Sequence, residues 1–154
     1  MKKIISILIV SLLFPCLALS QSVQGTWKLI KFDITVDDQL LPDYFGKTPT
    51  GYLIFTAKRM MTIITKEGRI PGRSDVEKVA LFNSLLAYSG PYRVEGGRYV
   101  IDIDASWNQA WNGTHQTRTW WLEDNRLINV TSPAPFSLDP TKTATAKLTW
   151  EKIE

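Results

Sequence analysis

The chain has 154 residues, 44% hydrophobic and 21% charged, with 6 Trp, 5 Tyr and 6 Phe. That excludes a disordered chain and sets the scale of one domain, while the absence of heptads and of long repeats excludes a coiled coil and a solenoid. The formal charge is +3, and without Lys2 and Lys3 it falls to 16 basic against 15 acidic residues, which is no electrostatic footprint for nucleic acid.

Residues 1–20 read as a secretory leader. Lys2 and Lys3 form a charged start, Ile4 to Phe14 an apolar run too short to span a bilayer well, and Ala18-Leu19-Ser20 a small-residue cleavage site. Cleavage after Ser20 leaves a mature domain over 21–154, exported to the periplasm or secreted. An uncleaved anchor and a lipidated Cys16 are the alternatives, although Phe14-Pro15 lacks the small residue that lipidation signals want before the Cys. Cys16 is the sole cysteine, so the mature chain has no thiol for catalysis, disulfides or metal. No other apolar run approaches membrane-span length, and a monomer is expected.

From Gly25 on the pattern has mostly period two. Thr26 to Val36 places Trp27 and Leu29 on one parity and Ile30, Phe32, Ile34 and Val36 on the other, which predicts a bulge near Leu29–Ile30. Residues 37–50 read as loop by composition. Gly51 to Thr56 and Met60 to Lys66 read as a hairpin. Ser74-Asp75-Val76-Glu77 is a capping box, and Val79, Phe82 and Leu86 recur at helical spacing, so a helix is expected over about 75–88, ended by Gly90-Pro91. Strands follow at Tyr92 to Glu95, Arg98 to Ser106, Thr114 to Glu123, Arg126 to Ser132 and Thr143 to Ile153. The turns at 95–98 and 123–126 tolerate positive φ, and a Pro-rich stretch precedes the last strand. Eight strands joined mostly by hairpins leave two open edges unless they close. The expected fold is therefore an all-β, eight-stranded antiparallel up-and-down barrel, with one helix inserted between strands 3 and 4.

Gly25-Thr26-Trp27 resembles the G-x-W opening of lipocalins. Gly51-Tyr52-Leu53-Ile54-Phe55-Thr56, Arg59-Met60, Tyr88-Ser89-Gly90-Pro91-Tyr92, Ala105-Ser106, Trp111-Asn112-Gly113-Thr114, Gln116, Arg118 and Leu148-Thr149-Trp150-Glu151 look like motifs of the bacterial lipocalin-like domain family. The resemblance covers roughly 25–152. It implies a barrel that holds small molecules, with Trp27 closing the floor under a cation from the last strand, for which Lys152 is the nearest candidate. Members often carry adjacent histidines about where Ile101-Asp102 stand here, so chemistry resting on those histidines is not implied for this chain.

The most informative strands are 98–106 and 114–123. Asp102, Asp104 and Ser106 share one parity; so do Gln116, Arg118, Trp120 and Leu122. A hairpin symmetric about residue 110 sets Asp102 opposite Arg118 and Asp104 opposite Gln116, either as a polar anchor inside the barrel or as a cross-strand pair on its surface. Tyr99, Ile101, Ile103 and Ala105 form the competing apolar face. Trp107 and Trp111 lie on a loop, either packed at the rim or lining the mouth. His115 is the only histidine and reads as an exposed loop-end residue, with a general base beside Asp104 as the alternative. No phosphate loop or metalloprotease motif is present, and no metal or cofactor is expected. Asn112-Gly113-Thr114 and Asn129-Val130-Thr131 are sequons.

Three functions fit. The first is a binding module for a small hydrophobic or amphipathic ligand, contacted by Tyr52, Tyr88, Asp102, Trp107, Trp111, Arg118 and Trp120. The second is an isomerase-, cyclase- or decarboxylase-type enzyme using Asp102, Asp104 and Arg118. The third is an inhibitor that meets a protein partner through loops 37–50 and 133–142.

Overall fold

Strand β1, Gly25–Val36, begins on one inward parity and ends on the other. Trp27 and Leu29 face the core, then Phe32 and Ile34 do. The change is made by a bulge: Leu29 pairs with Trp150 and Lys31 with Thr149, so Ile30 is the extra residue, close to where the alternation breaks in the sequence. The computed structural model describes residues 22–154 except Ser137; the leader expected over 1–20 lies outside the described residues.

The remaining strands are β2 (Gln39–Leu41), β3 (Thr50–Phe55), β4 (Arg59–Thr65), β5 (Leu85–Glu95), β6 (Arg98–Asp102), β7 (Ala105–Ser106), β8 (His115–Glu123), β9 (Arg126–Thr131), β10 (Ala134–Phe136) and β11 (Asp139–Lys152). Eight of them close a ring in the order β1-β3-β4-β5-β6-β8-β9-β11, with β11 returning to β1. Closure removes the free edges, as expected for a barrel of this size. Along β3 and β4 buried and exposed residues alternate strictly, with Leu53, Phe55, Met60, Thr62 and Ile64 turned inward.

Helix α1, Asp75–Asn83, starts on the expected capping box. Ser74 accepts from the Glu77 amide, and Glu77 Oε2 accepts from the Ser74 amide at 2.8 Å. It ends five residues earlier than the expected 88. Leu85-Leu86-Ala87-Tyr88 suits either a helix or a strand, and the ladder from Thr65–Leu85 to Arg59–Pro91 draws it into β5. The helix follows the fourth strand rather than the third. The shift arises because Asp37 and Asp38, at φ +47° and +64°, turn the chain tightly back on β1 and create β2 inside the expected loop. The Pro-rich stretch likewise forms β10, paired with an early start of β11. The expected strand 98–106 breaks at Ile103–Asp104 into β6 and β7. Gly90 passes this break so closely that a Cβ would lie 2.1 Å from the Asp102 carbonyl oxygen.

The floor forms where Gly25, at φ +126°, meets the chain end. A Cβ there would lie 2.4 Å from the Glu154 carbonyl oxygen. Trp27 Nε1 donates to Val23 O at 2.8 Å, and Lys152 Nζ sits 5.5 Å from the Trp27 ring centroid, the closure that the resemblance implied.

Candidate functional site

Above the floor lies a cavity of about 80 Å³. Its apolar walls include Phe32, Leu53, Ile64, Leu86, Leu148 and Trp150; its polar lining is Thr62, Tyr88, Tyr99, Arg118, Asn129 and Thr131. The inward set on β8 and β9 follows from one register. Arg118 pairs with Thr131 and Trp120 with Asn129, so all four share the concave face.

Arg118 is the most informative of them, at 6% exposure. Its Nη1 donates to Thr117 O at 2.9 Å and to Gln116 Oε1 at 3.3 Å, and its Nη2 donates to Tyr88 OH at 3.2 Å. Each acceptor is neutral. Tyr99 and Asn129 form a second buried pair, Asn129 Nδ2 donating to Tyr99 OH at 2.6 Å. Burial pushes the Tyr99 phenol above its ordinary value, so it remains a protonated donor at neutral pH. Asn129 Oδ1 and Trp150 Nε1 are buried without a hydrogen-bond partner.

The expected Asp102–Arg118 pair does not form. Tyr99 pairs with Arg118 and Asp102 with His115, a register offset by an odd number of residues from the symmetric hairpin. An odd offset exchanges the faces. Arg118 therefore shares the interior with Tyr99 and Ile101, while Asp102 stands on the outer wall. There Asp102 meets His115 Nδ1 at 2.6 Å and Arg93 Nη1 at 3.1 Å, and its carboxyl lies below its ordinary range, chiefly through the His115 hydrogen bond. Asp104 does not face Gln116 either. It makes a two-point pair with Arg59, at 2.7 and 2.8 Å, also outside. The acid–base set imagined for an enzyme on Asp102, Asp104 and Arg118 is thus split across the wall.

The other expected ligand contacts divide. Tyr88 and Trp111 line the cavity. Trp107 stacks edge-on against Trp111 at 4.9 Å and forms an outer tier with Phe82 of α1. Trp120 is buried in the core but off the cavity wall. Tyr52 points outward at 40% exposure, because strict alternation along β3 gives the inward places to its neighbours Gly51 and Leu53. The Trp107–Gly113 loop uses its polar groups to hold itself: Asn108 caps the Ala110 amide, Ser106 Oγ donates to Asn112 Oδ1, and Thr114 Oγ1 donates to Trp111 O. Loops 37–50 and 133–142 each turn one Phe inward. Phe45 stacks on Phe32 at 4.5 Å and Phe136 packs against Tyr44, while Leu40 and Leu138 of the same stretches stay exposed.

Sequence reasoning missed Tyr99, Asn129, Thr131 and Trp150 as cavity residues. Asn129 was legible only as a sequon, and at 3% exposure it is out of reach of glycosylation in the folded barrel. Once Arg118 is inside, alternation across the tight 123–126 turn places Asn129 and Thr131 there too. Among the described residues, no group of three or more His, Cys, Asp and Glu is placed to hold a metal ion, and no helix is long and apolar enough to cross a membrane.

A family model described as a lipocalin-like domain matches residues 24–153. No curated protein matches the chain.

Proposed function

The chain belongs to the lipocalin-like domain family, and on that premise we propose that it is an exported barrel holding a small, partly apolar molecule in its lumen. Arg118 is the anchor of the ligand, and Tyr88 and Trp111 are walls. The observation that carries this reading is a buried guanidinium aimed into a mostly apolar cavity with only neutral acceptors around it. Such a group is costly to keep for stability alone. Apolar walls with a few converging polar groups are the ordinary make-up of a small-molecule site. Export rests on the charged start, the apolar run and the small-residue cleavage site of residues 1–20.

Native mass spectrometry of protein recovered from its own host tests the binding. A mass increment lost on denaturation is the expected result, and a lumen that always emerges empty and gives no response to added small molecules overturns the reading. N-terminal sequencing of the same material tests export, with a start at Gln21 expected.

A further inference from the structure

We propose that the ligand is a short-chain monocarboxylate, its anionic end on Arg118 and its alkyl end among Leu53, Ile64 and Leu148. This deepens the lumen-binding reading and rests on it.

The first argument is charge. The partners of Arg118 are an amide oxygen, a backbone carbonyl and a phenol. Among the described residues, the ion pairs join other groups: Arg59 with Asp104, Arg93 with Glu95 and Asp102, and four pairs involving Lys or His. A charge kept from water with no counter-charge is uncompensated. One positive charge is neutralised by one negative charge, so a monoanion fits and a dianion leaves a net charge buried.

The second argument is hydrogen bonding. The Tyr99 O–H and the Trp150 indole N–H lack acceptors, against one open oxygen, Oδ1 of the Asn129 amide. Turning that amide over lets its oxygen accept from Tyr99 but frees both of its N–H groups, so donors outnumber acceptors in either orientation. A cavity rich in donors wants a ligand rich in acceptors. A carboxylate supplies two oxygens in the plane that a guanidinium fork matches.

The third argument is size. The volume of about 80 Å³ is roughly half that of the ~150 Å³ apolar cavity that admits benzene. Acids of about two to four carbons fit this space, and long acyl chains do not.

The test follows the indole N–H signals of Trp111 and Trp150 by NMR while the purified protein is titrated with sodium propionate. Parallel titrations at equal ionic strength use propionamide, inorganic phosphate and sodium octanoate. Propionate is expected to give saturable shifts, with affinity at least tenfold above each of the other three. Arg118→Met, and Asn129→Asp, which brings a carboxylate into the cavity, are each expected to weaken propionate at least tenfold. The comparison of acid with amide needs no variant, so a misfolded substitution leaves the test intact. Propionamide or phosphate binding as well as propionate overturns the carboxylate assignment, as does undiminished propionate binding by a folded Arg118→Met protein. Tighter binding of octanoate overturns the short chain. Propionamide binding without propionate removes the carboxylate and leaves the lumen reading standing; no shift with any of the four removes the carboxylate, and the lumen reading falls with it only if the native protein also carries no mass increment.

Discussion

The floor of the barrel and the cavity above it both rely on tryptophan and a cation, but they handle polar groups in opposite ways. At the floor, Trp27 Nε1 finds Val23 O, the Thr26 amide finds Glu154 O, and Lys152 lies over the indole while its charge stays near solvent. At the cavity, Trp150 buries an indole N–H without an acceptor, Asn129 Oδ1 is buried without a donor, and Arg118 is buried without a carboxylate. A satisfied network rigidifies a fold; an unsatisfied one lowers stability and is kept where something else completes it. The floor closes the barrel with its polar groups paired, and the cavity leaves open the groups that the proposed ligand would pair.

The sharpest way to break this contrast is at the floor. Trp27→Ala is expected to cost about 3–5 kcal/mol in a urea titration, from lost burial and a cavity. Trp111→Ala, at a half-buried site, costs much less; equal losses would erase the distinction. Gly90→Ala probes the wall between the two regions. Its Cβ meets the Asp102 carbonyl, so we expect a loss of about 1–3 kcal/mol and faster amide exchange at Ile103 and Asp104. Arg118→Met tests the cavity with the opposite sign. In the empty protein it is expected to gain about 1 kcal/mol, since an uncompensated charge is replaced by an apolar side chain. A clear loss in urea would mean that the bonds to Thr117 O and Tyr88 OH hold the wall.

Smaller effects sharpen the picture outside the barrel. Ser74→Ala removes the cap of α1 at a cost of about 0.5–1 kcal/mol. Because that helix buries no residue, faster amide exchange within it is expected with little change in the global urea midpoint. The smallest effect is the pH response of Asp102. The folded carboxyl sits below its unfolded value, so its stabilisation is present above the ordinary carboxylate range and is lost as pH falls through the lowered value. Comparing urea midpoints of the protein and Asp102→Asn across that acid range isolates the contribution. Parallel curves would show that the His115 and Arg93 contacts add nothing.

The barrel is written in local signals. Strict alternation in residues 51–65, the broken parity at Leu29–Ile30, the capping box at Ser74 and the tight turns at 95–98 and 123–126 are local signals, and each acts within a few residues of its source. Tertiary pairing decided where the helix stops, because Leu85 to Tyr88 fit two periods and only β4 could choose between them. It also decided which face of the 98–106 and 114–123 strands holds the site. Alternation groups Asp102 with Asp104 and Arg118 with Trp120, but it cannot relate one group to the other. An odd offset in cross-strand register sent the carboxylates to water and the guanidinium to the lumen. That offset is a property of two strands and the break at Ile103–Asp104 between them, which is why no single stretch of residues carries it.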